Sequence, residues 1–163
     1  MMLAATGGRA VDEMMRALGR LVGRPLLRVE HRCFASADPS DAPRAHDWVT
    51  DIKLTFQGRT LCIAVDPDTD TLSIGSSRVR ARSDQVWRDA TSRKPWRRWI
   101  GSPLRFAWTC INTSGYLDGV QLGFREYHPA VFLLAVASAI HEYSTTEVKE
   151  RTGRPPRSLQ RTP

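Results

Sequence analysis

The stretch "WVTDIKLTFQGRTLCIAVDPDTDTLSIG", residues 48–75, alternates apolar and polar side chains over most of its length. Trp48, Thr50, Ile52, Leu54 and Phe56 fall on one face of an extended chain, because residues two apart share a face of a strand. Gln57-Gly58 supplies a tight turn, and Leu61, Ile63 and Val65 line one face of the returning strand. "DPDTD" makes the next turn, and Leu72 with Ile74 forms a short third strand. Three strands joined by turns this short predict an antiparallel meander.

Elements on either side extend this frame. Upstream, "PLLRVEHRCFA" sets Leu27, Val29, His31 and Cys33 against Arg28, Glu30 and Arg32, the pattern of a half-buried strand. Before it, Val11, Met14, Met15, Leu18, Leu21 and Val22 recur at helical spacing, with Gly23 as a stop and Pro25 beyond. That predicts one amphipathic helix over roughly 9–22. Downstream, "SRKPWRRWIG" predicts a short helix near 93–100, with Pro95 in a first turn that tolerates its missing N–H. "PLRFAWTCI" and "GVQLGF" resume the strand pattern, so "NTSGYLDGVQLGF", residues 112–124, opens with a hairpin connection. "AVFLLAVASAIHEYSTTEV" is apolar at nearly every position and fits a buried helix or a buried strand equally. The expected class is α+β: an N-terminal helix packed on a mostly antiparallel sheet, in one domain over 1–148. A basic tail, 149–163, has three prolines and almost nothing apolar, which predicts disorder.

Hydrophobic residues make up 41% of the chain and charged residues 25%, a globular balance. No apolar run reaches the roughly 18 residues of a membrane span. The start lacks the basic region and clean apolar stretch of a signal peptide. Cys33, Cys62 and Cys110 are widely spaced and odd in number, and each sits in a strand-like run. Buried free thiols in a reducing compartment, the cytoplasm, are the expectation.

Catalytic and metal motifs are weak. Asp66, Asp68 and Asp70 have the first spacings of a calcium loop, but Thr71 and Ser77 stand where its glycine and bidentate glutamate belong. "HEYST" starts like a zinc-protease motif and then has Thr145 in place of the second histidine. The four histidines are scattered, and no close cysteine pair exists. These patterns predict no metal, no cofactor and no enzyme.

Charge carries the sharper signal. The chain has a net charge of +7. Residues 78–98 hold eight basic and two acidic residues, and 149–163 hold five basic and one acidic, leaving the rest at −3. Such asymmetry calls for a partner of negative potential. In the internal segment Trp87, Trp96 and Trp99 interleave with Arg88, Arg93, Lys94, Arg97 and Arg98. Arg and Trp are enriched in protein-binding hot spots, whereas arginines beside aromatics also grip phosphates and stack on bases. Tyr116 and Asp118, on the hairpin connection, complete the candidate contact set.

Residues 47–148 resemble a family of small uncharacterised bacterial domains, some of them immunity-protein-like. The resemblance rests on "IKLTFQGRTLCIAVDPDTDTLSIG", "GYLDGVQLGF" and the apolar run containing "ASAIHEY". It implies that 131–142 is a strand, and it carries no catalytic residue. The expectation is a non-enzymatic module that docks an acidic protein, such as a toxin, through Arg88, Arg93, Lys94, Arg97, Arg98, Tyr116 and Asp118. The alternative is a nucleic-acid-binding accessory protein using the same basic segment and the tail.

Overall fold

The computed structural model describes residues 4–34, 48–74, 84–125 and 128–144. The chain is α+β, with one helix and nine strands among the described residues. Helix α1 (Ala4–Gly19) leads into β1 (Leu26–Phe34), β2 (Val49–Phe56), β3 (Arg59–Asp66) and β4 (Thr71–Ile74). After these come β5 (Gln85–Asp89), β6 (Phe106–Ile111), β7 (Leu117–Gly123), β8 (Val131–Val136) and β9 (Ala139–Ser144). The strands form two sheets, ordered β4-β3-β2-β1-β5 and β6-β7-β8-β9, and every pairing is antiparallel. The tail 149–163 and Arg78, Arg80 and Arg82 lie outside the described residues.

The expected meander is present as β2-β3-β4. Phe56 pairs with Arg59 across Gln57-Gly58, and Gly58 takes a positive φ of 73°, which a side chain would resist. The inward faces of the two sheets pack together, β4 against β7 and β8, and β2 and β3 against β9. Ile52, Leu54, Ile63, Val120, Leu122, Val131 and Leu133 form the fully buried middle of this core. Helix α1 lies against the edge strands β4 and β6 and inserts Met14 and Leu18.

Several details differ from the expectations. The helix starts and ends earlier than 9–22; Leu21 is buried from a turn beyond it, while Met15 and Val22 are exposed. In β1 the pairing shifts between Leu26 and Arg28, so Leu26 is buried and Leu27 half exposed. A second shift, between Arg32 and Cys33, sets Cys33 opposite Val49, so Val49 rather than Thr50 and Trp48 continues the inward face. The segment near 93–100 contains only a single 3-10 turn, Trp96–Arg98, after a cis Lys94–Pro95 bond. Residues 131–142 are neither a helix nor one strand. They form the β8–β9 hairpin, reversed by Ala137 and Ser138 with φ of 51° and 63°. Of the three free cysteines only Cys33 is buried; Cys62 and Cys110 are half-buried on the outward faces. No helix among the described residues is long and apolar enough to cross a membrane.

Candidate functional site

The loop between β5 and β6 carries most of the candidate residues, and its backbone is pinned at both ends. Ala90 N–H donates to Val29 O at 2.9 Å, and Val29 N–H donates to the Thr91 hydroxyl at 3.1 Å. At the far end Leu26 N–H donates to Ser102 O at 3.0 Å, and Leu104 N–H to Arg24 O at 3.0 Å. Between these ties Trp96 is fully buried. Its indole Nε1–H donates to Glu142 Oε1 at 2.6 Å, and His31 Nε2 lies 2.8 Å from the same oxygen. An indole N–H only donates, so Glu142 is the acceptor, and His31 carries its proton on Nε2 to donate as well. That leaves His31 Nδ1 buried without a partner.

Trp99 is the second anchor. It is 6% exposed and stacks on Phe124, with centroids 5.5 Å apart and planes 17° apart. The Arg98 guanidinium lies 4.6 Å from the Trp99 ring centroid and that of Arg125 5.8 Å, both within cation–π range. Lys94, Arg97 and Arg98 are exposed, and Arg93 is half-buried. Neither Lys94 nor Arg97 forms an ion pair among the described residues. Arg88 is half-buried at the loop end of β5, opposite His31. The local logic is a rigid underside of two tryptophans beneath an exposed basic upper side.

Tyr116 and Asp118 are not brought to this loop. They belong to the β6–β7 connection, where Asn112 Oδ1 accepts the Ser114 N–H at 2.9 Å and the Tyr116 N–H at 3.1 Å. Gly115 turns the chain with a φ of 84°. Trp99 meets the opposite end of this hairpin, at Phe124. The six-residue strand from Phe106 to Ile111 separates the two ends by about 17 Å. Tyr116 is exposed and Asp118 half-buried.

The outward face of the first sheet holds a ladder of charges. Glu30 lies 3.0 Å from Lys53 Nζ and 3.4 Å from Arg28, and Arg32 lies 3.7 Å from Asp51. Lys53 Nζ also sits 4.4 Å from the centroid of the exposed Trp87 ring. Burial pushes the Asp51 carboxyl above the usual carboxylate range, against the pull of the Thr50 hydroxyl and the Arg32 guanidinium. Burial and the nearby Asp51 push the Cys62 thiol up to about 11, partly offset by Lys53 and Arg32. A thiol held that high is protonated at neutral pH and a poor nucleophile. Among the described residues no group of three or more His, Cys, Asp or Glu is placed to hold a metal ion. The "DPDTD" aspartates serve turns: Asp66 Oδ1 accepts the Asp68 N–H at 2.9 Å, and Asp70 Oδ1 accepts the Ser138 N–H at 2.5 Å.

Sequence reasoning missed Glu142 and His31 as supports of the loop, because 111 positions separate them. One signal was available: Glu142 stands between Ile140 and Ser144 on the inward face of β9, where alternation calls for an apolar residue. A model for a family of unknown function (DUF6334) matches residues 14–149. No curated protein and no solved structure matches the chain.

Proposed function

The chain belongs to this family of unknown function, and because that membership names no activity, we propose from its own residues that it is a non-enzymatic protein-binding module. It docks an acidic protein, in the manner of a bacterial immunity or antitoxin partner in the cytoplasm. The observation that carries the reading is the β5–β6 loop. Trp96 and Trp99 fix it from below, while Lys94, Arg97 and Arg98 stand exposed above. Arg98, held over the Trp99 ring before binding, loses less side-chain entropy on contact than a free arginine would, which is what separates a hot spot from a solvated basic face. Arg93 and Arg88 flank the platform. Tyr116 and Asp118, at the other end of the hairpin, would reach only a partner long enough to span both.

The test compares wild type with Arg97→Ala/Arg98→Ala in partner capture and in binding to generic DNA and RNA at physiological salt. A protein partner is expected to be lost on the double substitution, each anchor contributing ~2 kcal/mol or more, with an unchanged melting temperature. The competing reading is nucleic-acid binding through the same loop. It would be favoured by phosphate-backbone affinity that falls in small, similar steps as Arg88, Arg93, Lys94, Arg97 and Arg98 are removed one at a time. That outcome overturns the docking reading.

A further inference from the structure

The two sheets present unlike outward faces. On the first, Arg28, Glu30, Arg32, Asp51 and Lys53 face away from the core, the ordinary polar side of an antiparallel sheet. On the second, Val120, Leu122, Val131 and Leu133 point inward and are fully buried. The opposite side is formed by Phe106, Trp108 and Cys110 on β6, Gln121 on β7, Phe132 and Leu134 on β8, and His141 and Tyr143 on β9. That side holds no carboxylate, lysine or arginine at these positions. An antiparallel sheet with apolar side chains on both faces is a sheet with something to cover.

The geometry of the rings indicates what kind of cover. Trp108, Gln121, Phe132 and Tyr143 are register partners in one row across the four strands. The rings on either side of Gln121 lie over glycines. A Cβ on Gly119 would come within 2.8 Å of Phe132 Cε2, and one on Gly123 within 3.3 Å of Trp108 Cζ3. Each ring therefore lies over the backbone of β7; Trp108 also stacks on Phe106 and Phe132 lies against Tyr143, and both remain half-buried. Four strands span about 14 Å and five residues about 17 Å, a face of a few hundred Å² at most. That is well short of the roughly 800 Å² each partner buries in a stable protein interface, so the face suits a thin, ring-bearing ligand. Charge selects among such ligands. Arg105 and Arg125 are exposed at the Phe106 end of the face, where Arg105 N–H donates to Gly123 O at 2.8 Å.

We infer that the outward face of the second sheet binds single-stranded nucleic acid. Bases stack on Trp108 and Phe132, Gln121 lies between them, and the phosphates run toward Arg105 and Arg125. This surface borders the docking loop, sharing with it Arg125, whose guanidinium lies over the Trp99 ring, but its stacking rings belong to the sheet and not to that loop. Stacking on flat aromatic side chains with cations alongside is the general means of gripping single strands without sequence preference.

The experiment measures fluorescence anisotropy of labelled short oligothymidylate and oligouridylate at physiological salt. Wild type is expected to bind either oligomer more tightly than a duplex of equal length, whose bases are already stacked on each other. Trp108→Ala and Phe132→Ala should each weaken binding roughly tenfold, while Trp108→Phe retains most of it. Arg105→Ala/Arg125→Ala should lower the slope of log affinity against log salt by about 2. Gln121→Glu covers the case in which an alanine variant fails to fold: it leaves both rings in place and sets a negative charge between them. With an unchanged melting temperature it should weaken binding at least as much. No binding by wild type, or binding indifferent to Trp108→Ala and Gln121→Glu but lost with Arg97→Ala/Arg98→Ala, overturns the inference.

Discussion

One carboxylate oxygen, Glu142 Oε1, satisfies two buried donors at once, Trp96 Nε1 and His31 Nε2. Replacing the acid by a group that still accepts should therefore differ from replacing it by one that does not. Glu142→Gln is expected to lie within about 1 kcal/mol of wild type, and Glu142→Leu to cost about 1–3 kcal/mol for each stranded donor. Urea unfolding of the two variants checks this; equal stabilities would mean that the two hydrogen bonds contribute nothing. The thiols give a second test. With Cys33 buried and Cys62 and Cys110 half-buried, native labelling should proceed in two classes, with Cys33 last and only on unfolding. Cys62 also sets a pH dependence. Its folded thiol holds its proton to about 11, above the ordinary value of 9.0, so the unfolded chain gains by ionising first. Stability is complete below the unfolded value and is lost as pH rises from about 9 toward 11. Cys62→Ala should flatten that loss in thermal melts across the same window, whereas parallel curves would place the thiol's effect elsewhere.

At the level of elements, legibility in the sequence followed turn chemistry. Gln57-Gly58 advertises its reversal, and "DPDTD" does too, so β2, β3 and β4 could be read directly. The β8–β9 turn could not, because it uses Ala137 and Ser138 in a left-handed conformation that glycine or asparagine would normally signal. Tertiary contacts hold it there instead. The Ser138 hydroxyl donates to Pro67 O at 2.9 Å, and Trp48 Nε1–H donates to Ser138 O at 3.1 Å. Ala137→Gly should therefore stabilise the protein by about 1 kcal/mol, since it removes the Cβ penalty at a positive φ. A loss of stability in urea unfolding would show that the Ala137 methyl is needed. Strand β5 was hidden for another reason. Trp87 and Asp89 face outward and Val86 and Arg88 inward, so an edge strand with little burial shows no apolar alternation. The candidate residues of the basic loop were legible because charge and tryptophan content are local. Their supports were not, because Phe124, Glu142 and His31 come from three other places in the chain.

For the molecule as a whole, the core reads as two sheets facing each other, and the sequence could not separate them because each is built mostly of sequential strands, while the one non-sequential pairing, β5 beside β1, carries no local signal. What joins them at one end is the turn at 67–70, which holds the turn at 137–138. Asp70 has a φ of 50° and accepts the Ser138 N–H. Asp70→Gly keeps the backbone conformation and removes only the acceptor, so a loss of about 1–3 kcal/mol would isolate the clasp. Hydrogen exchange should then quicken at Ser138 and along β9 before it quickens in β2, and uniform quickening would mean the clasp does not act locally.

That clasp also limits where the chain can grow. Surface reversals are ordinarily where a chain accepts extra residues, and both of these look suitable by composition. Yet each is measured against the other, so a residue added to one leaves the other's partner out of reach. Tags, epitopes or circular-permutation breaks should fail at 67–70 and at 137–138. They should be tolerated at 113–115, where Asn112 bonds only within its own connection.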